Sequence, residues 1–420
     1  MTDVRGQAPG SAIALLEPLA PRPASRPRLT ARTVLVLLAV YAGARVLSAL
    51  LLLVVHRTGV VDDGPGGLGA GLAATLPGTG FTDLLQGWDG EYYRRIAEDG
   101  YPTDLPLDAD GEVAKNPWAF MPVYPLLARG VMAVTGLGFG AAGTAVALLA
   151  GAAAVIVLHV LLLPHAGRRA ATLGAVLLAI SPMSFLFTVT YAESTFLVLV
   201  FGALVAMTRQ RYALFAVLGV VAAFTRPGAL ALAFALVLLH LVRARRGLVQ
   251  HRREHVAALG AATAVTLAGL AWPVVAGLVT GRADAYLATE TAWQQEYTGH
   301  AGFVPFTPWF RFASAVLDPV LGPGAGVVLV TLLLGTTVVV VARRWNAPGA
   351  DLTVWAVAYL AYLVAVFVPQ HSTFRLLLPL APALGDPGLT GTRRRAALAV
   401  GASLALQPVA VLALWVVVAP

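Results

Sequence analysis

Between residues 33 and 418 the chain is a succession of apolar runs divided by short loops that carry arginine. A helix needs roughly 20 apolar residues to cross the hydrocarbon of a bilayer. Runs of about that length lie near 33–55, 138–163, 170–190, 194–208, 212–225, 228–242, 256–279, 324–342, 351–368, 375–391 and 396–418. Eleven transmembrane helices are therefore expected, several of them short enough to be tilted or broken. Composition agrees. Of 420 residues, 58% are hydrophobic and 12% charged, against roughly 25% charged in a soluble domain, and mean hydropathy is +0.78. Such a chain cannot cover its apolar surface with polar groups, so the bilayer is its solvent.

The distribution of arginine orients the spans. The Arg-rich N-terminus, Arg168–Arg169, Arg209 and Arg211, the group from Arg243 to Arg253, Arg343–Arg344 and Arg393–Arg395 all fall on one side of the predicted spans. The positive-inside rule makes that side cytoplasmic. The net charge of +8 thus reports membrane topology. It does not point to nucleic acid, because the arginines sit between apolar runs and form no basic face. Residues 1–32, rich in Pro, Ala and Arg, read as a disordered cytoplasmic tail. Residues 33–420 read as a single transmembrane domain in the cell membrane.

The extracytoplasmic side carries the long loops, 56–118 and 281–323. Eleven of the 21 acidic residues lie in 56–118. The stretch 119–136 is apolar, but a span there would reverse the parity of every later arginine cluster. With Pro122, Pro125 and Arg129 it reads as an interfacial or re-entrant element, allowed where irregular backbone lines a cavity. Two long loops on one face place the chemistry on that face.

Five stretches carry candidate chemistry. The first runs from Trp88 to Tyr101 and opens Trp88-Asp89-Gly90-Glu91-Tyr92-Tyr93; helical spacing of its aromatics with Ile96 predicts an amphipathic helix starting near Asp89 and lying along the membrane surface. Asp89 and Glu91 are then either macrodipole partners at the helix N-terminus or carboxylates poised as a general base. Trp88 and the tyrosines read as interfacial anchors. The second runs from Lys115 to Leu127, a stiff junction built around Pro122 and Pro125. The third is Ser181-Pro182 with Tyr191-Ala192-Glu193-Ser194. Its carboxylate stands at the outer end of two spans and needs a partner or a role, unless it is a solvated hairpin tip. The fourth and fifth are Thr225-Arg226-Pro227-Gly228 and Gln370-His371-Ser372-Thr373-Phe374-Arg375. Arg226 and Arg375 stand on the outer side, against the charge trend, and need anionic company. That company is either Glu193 and the acids of the first loop, or a phosphate, which the guanidinium fork fits well. His371 is a base, a phosphate donor or a loop histidine. Loop 281–323 is aromatic and suggests interfacial helices over a lipid-lined cavity. Glu290, Glu296 and His300 are its candidate acceptor contacts.

Other chemistries find no footing. With no cysteine there are no disulfides, thiolate metal sites or cysteine nucleophiles. The sequence has no P-loop, no GxSxG and no HExxH.

Taken in order along the chain, these stretches resemble the PIG-V family, which includes the second mannosyltransferase of GPI-anchor assembly, in a bacterial form. More broadly they resemble the GT-C membrane glycosyltransferases. The matches run from Trp88 to Pro379. Met121, where the family often has an aromatic, and Pro227, where a small polar residue is frequent, depart from its pattern. The resemblance implies an all-α GT-C-like fold and an inverting transfer of a sugar, with mannose leading, from a polyprenyl-phosphate donor to a lipid, glycan or protein acceptor. It makes Asp89 the catalytic carboxylate. Arg226, Arg375 and His371 are then expected at the donor phosphate. Glu91, Tyr92, Asn116, Tyr124, Tyr191 and Glu193 are expected at sugar or acceptor. No ligand spacing in the sequence requires a divalent metal, though Glu91 or Glu193 would be available to one. A transporter or flippase of envelope precursors would also have many spans, but should show repeated halves with paired broken helices, and none is found. A non-catalytic scaffold would tolerate loss of Asp89, Arg226 and Arg375.

Overall fold

The computed structural model describes residues 29–61, 67–249, 251–298, 302–343 and 349–418, with the side chains of these residues except 294–298, 341–343, 387 and 390. The tail expected over 1–32 lies, as far as residue 28, outside the described residues. So do His300 and the side chain of Glu296.

The protein is an all-α membrane protein. Helix α1 (Ala31–Arg57) is followed by two single-turn helices, α2 (Ala70–Ala73) and α3 (Phe81–Leu84), and by α4 (Asp89–Glu98). A 3-10 turn at Pro117–Ala119 leads to α5 (Val123–Thr135), then α6 (Phe139–Ala179) and a second 3-10 segment, Pro182–Phe187. Next come α7 (Glu193–Thr208), α8 (Tyr212–Ala223), α9 (Leu230–Arg245) and α10 (Arg252–Thr280). Two helices, α11 (Ala285–Thr298) and α12 (Pro308–Leu321), occupy the second predicted outer loop. The chain ends with α13 (Ala325–Arg343), α14 (Ala350–Val366), the turns α15 (Thr373–Leu376) and α16 (Pro387–Thr390), and α17 (Arg393–Val411), which continues as a π-helical stretch to Val417.

Among the described residues, four helices are long and apolar enough to cross a bilayer by themselves: Ala31–Arg57, Phe139–Ala179, Arg252–Thr280 and Arg393–Val417. Three expected spans take other forms. Spans 138–163 and 170–190 are joined as one long helix kinked at Gly167, whose φ is 76°. The kink falls beside Arg168–Arg169, where a connection was expected. Span 375–391 is a turn of helix, a 3-10 segment over Leu378–Gly385 and another turn. Pro379 and Pro382 remove backbone donors, so no regular helix can run through them. Both are buried, which is where irregular backbone is tolerated at membrane depth. Element 119–136 is a 3-10 turn followed by a 13-residue helix, only about 20 Å long at 1.5 Å per residue.

The core forms where α6 packs against α7 and the 378–385 segment, with α9 held between α10 and α14. The buried face of α6 includes Ala142, Ala147, Gly151, Ala154, Ala171 and Ala175. Small residues of this kind let helices approach closely in lipid, where packing replaces hydrophobic exclusion as the attraction.

One buried charge braces this core. Arg45, midway along α1, donates to the carbonyls of Ala179 (2.7 Å) and Ser184 and to the Ser184 hydroxyl (2.9 Å). Its guanidinium lies 5.1 Å from the Tyr41 ring centroid and 5.4 Å from that of Phe187. Gln407 of α17 donates to Ser48 and Ser184 at 2.9 and 3.2 Å. The irregular segment after α6 thus has its carbonyls capped by α1 and its hydroxyl held by α17. A lone arginine inside an apolar run was the available sequence signal for this brace.

Candidate active site

Helix α4 begins at Asp89, as the spacing predicts, but its apolar face meets protein. Tyr93 sits edge-on to Phe120 and Tyr124, with ring centroids 5.2 and 5.0 Å away, and Ile96 and Ala97 share that cluster. Trp88 is held by protein as well. Its indole N–H donates to the Trp415 carbonyl (2.8 Å), and its backbone N–H donates to the Thr75 hydroxyl (2.8 Å). With φ at 57°, a conformation non-glycine residues seldom adopt, Trp88 turns the chain sharply into α4.

Gly90 explains the close approach that follows. A Cβ there would lie 2.5 Å from the Thr190 hydroxyl. Thr190 is in turn bound to the first loop, its hydroxyl and backbone N–H both donating to Leu85 O at 3.0 Å. Gly90→Ala should cost about 1–3 kcal/mol, the usual range for overpacking. It should lower the thermal unfolding midpoint in detergent, and a second change, Thr190→Ala, should recover part of the loss. A single variant as stable as wild type would show that the contact is not tight.

The clamp brings four charged side chains together. Asp89 is 8% exposed and Glu193 3%. Arg375 Nη1 lies 2.5 Å from Asp89 Oδ2 and 3.5 Å from Glu193 Oε1, and Arg226 pairs with the same Glu193 oxygen. The order is Asp89, Arg375, Glu193, Arg226, with two charges of each sign. Tyr191 lies beneath it. Its hydroxyl accepts from the Asp89 backbone N–H (3.2 Å), and its ring centroid is 5.4 Å from the Arg375 guanidinium.

Each member is placed by local structure. Glu193 opens α7, where the helix dipole favours a carboxylate. Arg226 stands where α8 has ended: Pro227 cannot continue the helix, and Gly228 takes φ 122°, which a side chain would resist. Arg375 sits on the turn after Ser372, and α14 pins the backbone beyond it. Tyr359 donates to Leu376 O and Trp355 to Pro379 O, each at 2.9 Å.

The remaining candidates are distributed around the quartet. Glu91 pairs with Arg95 one turn along α4. Tyr92 stacks on Phe120 at 4.9 Å and meets the Trp293 ring edge-on at 5.3 Å. Tyr124 is fully buried, and its hydroxyl has no partner among the described residues. Asn116 holds loops together: it accepts from Trp118 N–H and donates to Ala114 O and the Thr289 hydroxyl, all within 3.0 Å. His371 lies four residues before Arg375 and is half-buried. Asp89 and Glu193 are committed to guanidinium groups. Among the described residues no three His, Cys, Asp or Glu side chains converge as metal ligands would. The donor set therefore does not fit a divalent cation.

Glu290 on α11 was only a loose candidate. Burial pushes its carboxyl up to about 7, against a hydrogen bond from Tyr286; Asp89 adds to the rise and Arg226 opposes it.

An apolar cavity of about 570 Å³ reaches the chain at Phe374. The 374–384 segment, Leu178 to Met183 and α17 line it, with Phe374, Leu377, Leu406 and Leu414 prominent. Phe374, the residue before Arg375, is 57% exposed.

No family model matches the sequence, and no curated protein matches it. Among solved structures the chain is similar to ArnT from Cupriavidus metallidurans bound to undecaprenyl phosphate, at 17% identity and a TM-score of 0.44, over 86% of this chain and 60% of that one. It is also similar to an Archaeoglobus fulgidus oligosaccharyltransferase. The complex with zinc and sulfate gives 16% identity, a TM-score of 0.43 and coverage of 88% of this chain and 52% of that one. The apo form gives 14%, 0.40, 88% and 55%. This chain therefore spans less than two thirds of the length of each. Likeness at this level carries no argument about activity.

Proposed function

We propose that the protein is an inverting membrane glycosyltransferase of GT-C type, transferring a sugar, mannose first among candidates, from a polyprenyl-phosphate donor to a lipid, glycan or protein acceptor. The observation that carries this reading is the juxtaposition of a buried carboxylate–guanidinium quartet with an apolar cavity that begins at the residue before Arg375. A polyprenyl-phosphate sugar has the matching parts: an isoprenoid tail, a phosphodiester and a sugar. The distribution of arginine supports an extracytoplasmic quartet and a cytoplasmic N-terminus.

In this reading the tail lies in the cavity, and Arg375, with Arg226 behind it, takes the phosphate. The acceptor oxygen forms a bond to the anomeric carbon as the bond from that carbon to the phosphate oxygen breaks. The electron pair leaves on the phosphate, where the guanidinium groups stabilise the growing charge. The acceptor proton passes to Asp89. Glu193 remains the fixed counter-ion of both arginines. No step is routed through a metal.

The test is transfer of radiolabelled mannose from polyprenyl-phosphate-mannose by the purified protein in nanodiscs, with membrane glycolipid and protein extracts as acceptors. Label entering product supports the reading. A protein that binds no polyprenyl phosphate and no polyprenyl-phosphate sugar would remove it and leave transport as the alternative.

A further inference from the structure

The mechanism above leaves the sugar ring without a seat. Helix α11 provides a candidate. Tyr286, Thr289, Glu290 and Trp293 fall at helical spacing and share one face. That face turns toward the first outer loop. Thr289 receives the Asn116 amide at 2.8 Å, and Trp293 meets Tyr92 and Phe120 edge-on at 5.3 and 5.8 Å. Lys115 Nζ lies 5.0 Å from the Trp293 ring centroid. Tyr92 itself is three residues from Asp89 along α4.

Two groups on this face have hydrogen-bonding capacity to spare. The Trp293 indole N–H is buried with no partner among the described residues, an arrangement that normally costs free energy. Glu290 receives a hydrogen bond from Tyr286, but a carboxyl has further acceptor sites and, when protonated, a donor. The charged and titratable groups facing it are Tyr286 on its own helix, Tyr362 of α14, Asp89 of α4 and Arg226 between α8 and α9. Its carboxyl therefore lies within electrostatic reach of the quartet.

We infer that the face of α11 bearing Glu290 and Trp293 is the subsite for the sugar ring of the donor. The inference rests on the glycosyl-transfer reading. Carboxyl and indole N–H engage ring hydroxyls, while the rings of Tyr92 and Trp293 offer apolar surface to the C–H groups of a pyranose. Charge balance favours a neutral Glu290. The quartet sums to zero and the arriving phosphodiester brings one negative charge, so an ionised Glu290 would add a second. Burial already holds the carboxyl near 7. The protonated form, the one that donates, prevails below that value and is lost as pH rises through it.

The experiment compares binding of undecaprenyl phosphate and undecaprenyl-phosphate-mannose to the protein in nanodiscs. Wild type should bind the sugar-bearing lipid more tightly, with the advantage shrinking between pH 6 and pH 9. Glu290→Ala should weaken binding of the sugar-bearing lipid by about tenfold or more, as loss of one or two buried hydrogen bonds implies, and leave the bare lipid phosphate unchanged. Glu290→Gln, which mimics the neutral carboxyl, should restore affinity and flatten the pH profile. Trp293→Phe keeps the ring but removes the N–H, and should cost part of the sugar advantage. Equal weakening of both lipids by Glu290→Ala, or no change in either, would overturn the subsite. So would a wild type that binds the bare lipid as tightly as the sugar-bearing one, and the lipid-phosphate reading would then stand alone. Binding of neither lipid would overturn the glycosyltransferase reading and the subsite with it.

Discussion

Asp89→Asn should reduce sugar transfer by about 10²–10⁴-fold, the range for loss of a positioned general base, while the protein stays folded and still binds undecaprenyl phosphate. The amide keeps the shape of the carboxyl but cannot accept the acceptor's proton. The fold should survive because Arg375 keeps a second carboxylate, Glu193 Oε1 at 3.5 Å, and because the backbone of Asp89 stays anchored to the Tyr191 hydroxyl. Label transfer beside a lipid-binding measurement reads both parts. Turnover near the wild-type rate would remove Asp89 from the chemistry and leave it as one half of an ion pair.

The second large effect is on stability. Among the described residues, Glu193 is the only carboxylate that touches both arginines. Replacing it with alanine leaves Arg226 without an anion among its described contacts and Arg375 with Asp89 alone. Breaking a buried pair by removing one partner typically costs about 3–5 kcal/mol, because the surviving charge stays buried and uncompensated. Glu193→Ala should therefore unfold at much lower temperature in detergent than wild type. Removing the stranded charge as well, with Arg226→Ala, should return part of the loss. A double variant no more stable than the single one would mean that the pair contributes nothing through its charge.

Much of this architecture was legible in the sequence, and its gaps have physical causes. The apolar runs disclose an all-α membrane protein because bilayer thickness fixes run length. Asp89 at the start of a helix followed from the spacing of its aromatics, and Glu193, Arg226 and Arg375 stood out as charges where charge is costly. Their pairing did not follow. Asp89 and Arg375 are 286 residues apart, and no local pattern encodes such a distance. What covers the apolar stripe of α4 was not legible, because an amphipathic stripe looks the same whether lipid or protein covers it; here α5 and Phe120 do. The region 375–391 read as a span because hydropathy counts proline as mildly polar and ignores its missing donor. Arg45 was overlooked because one charge scarcely alters the average of a long apolar run. Glu290 stayed a loose candidate because helical spacing shows which residues share its face but not which element that face meets.

The 2.5 Å contact between Arg375 and Asp89 also bears on the sequence of events in a catalytic cycle. The Asp89 oxygen that meets Arg375 is occupied, so in the resting protein it is not open to an acceptor alcohol that arrives first. On the proposed reading the lipid phosphate competes with Asp89 for the same guanidinium, and by claiming it frees that carboxylate oxygen. On the proposed reading, the carrier lipid therefore loads before the acceptor, and the competent complex exists only after it has done so. Initial rates measured with both substrates varied would show this as compulsory-order kinetics. A random-order pattern would mean that Asp89 is already free before the donor arrives.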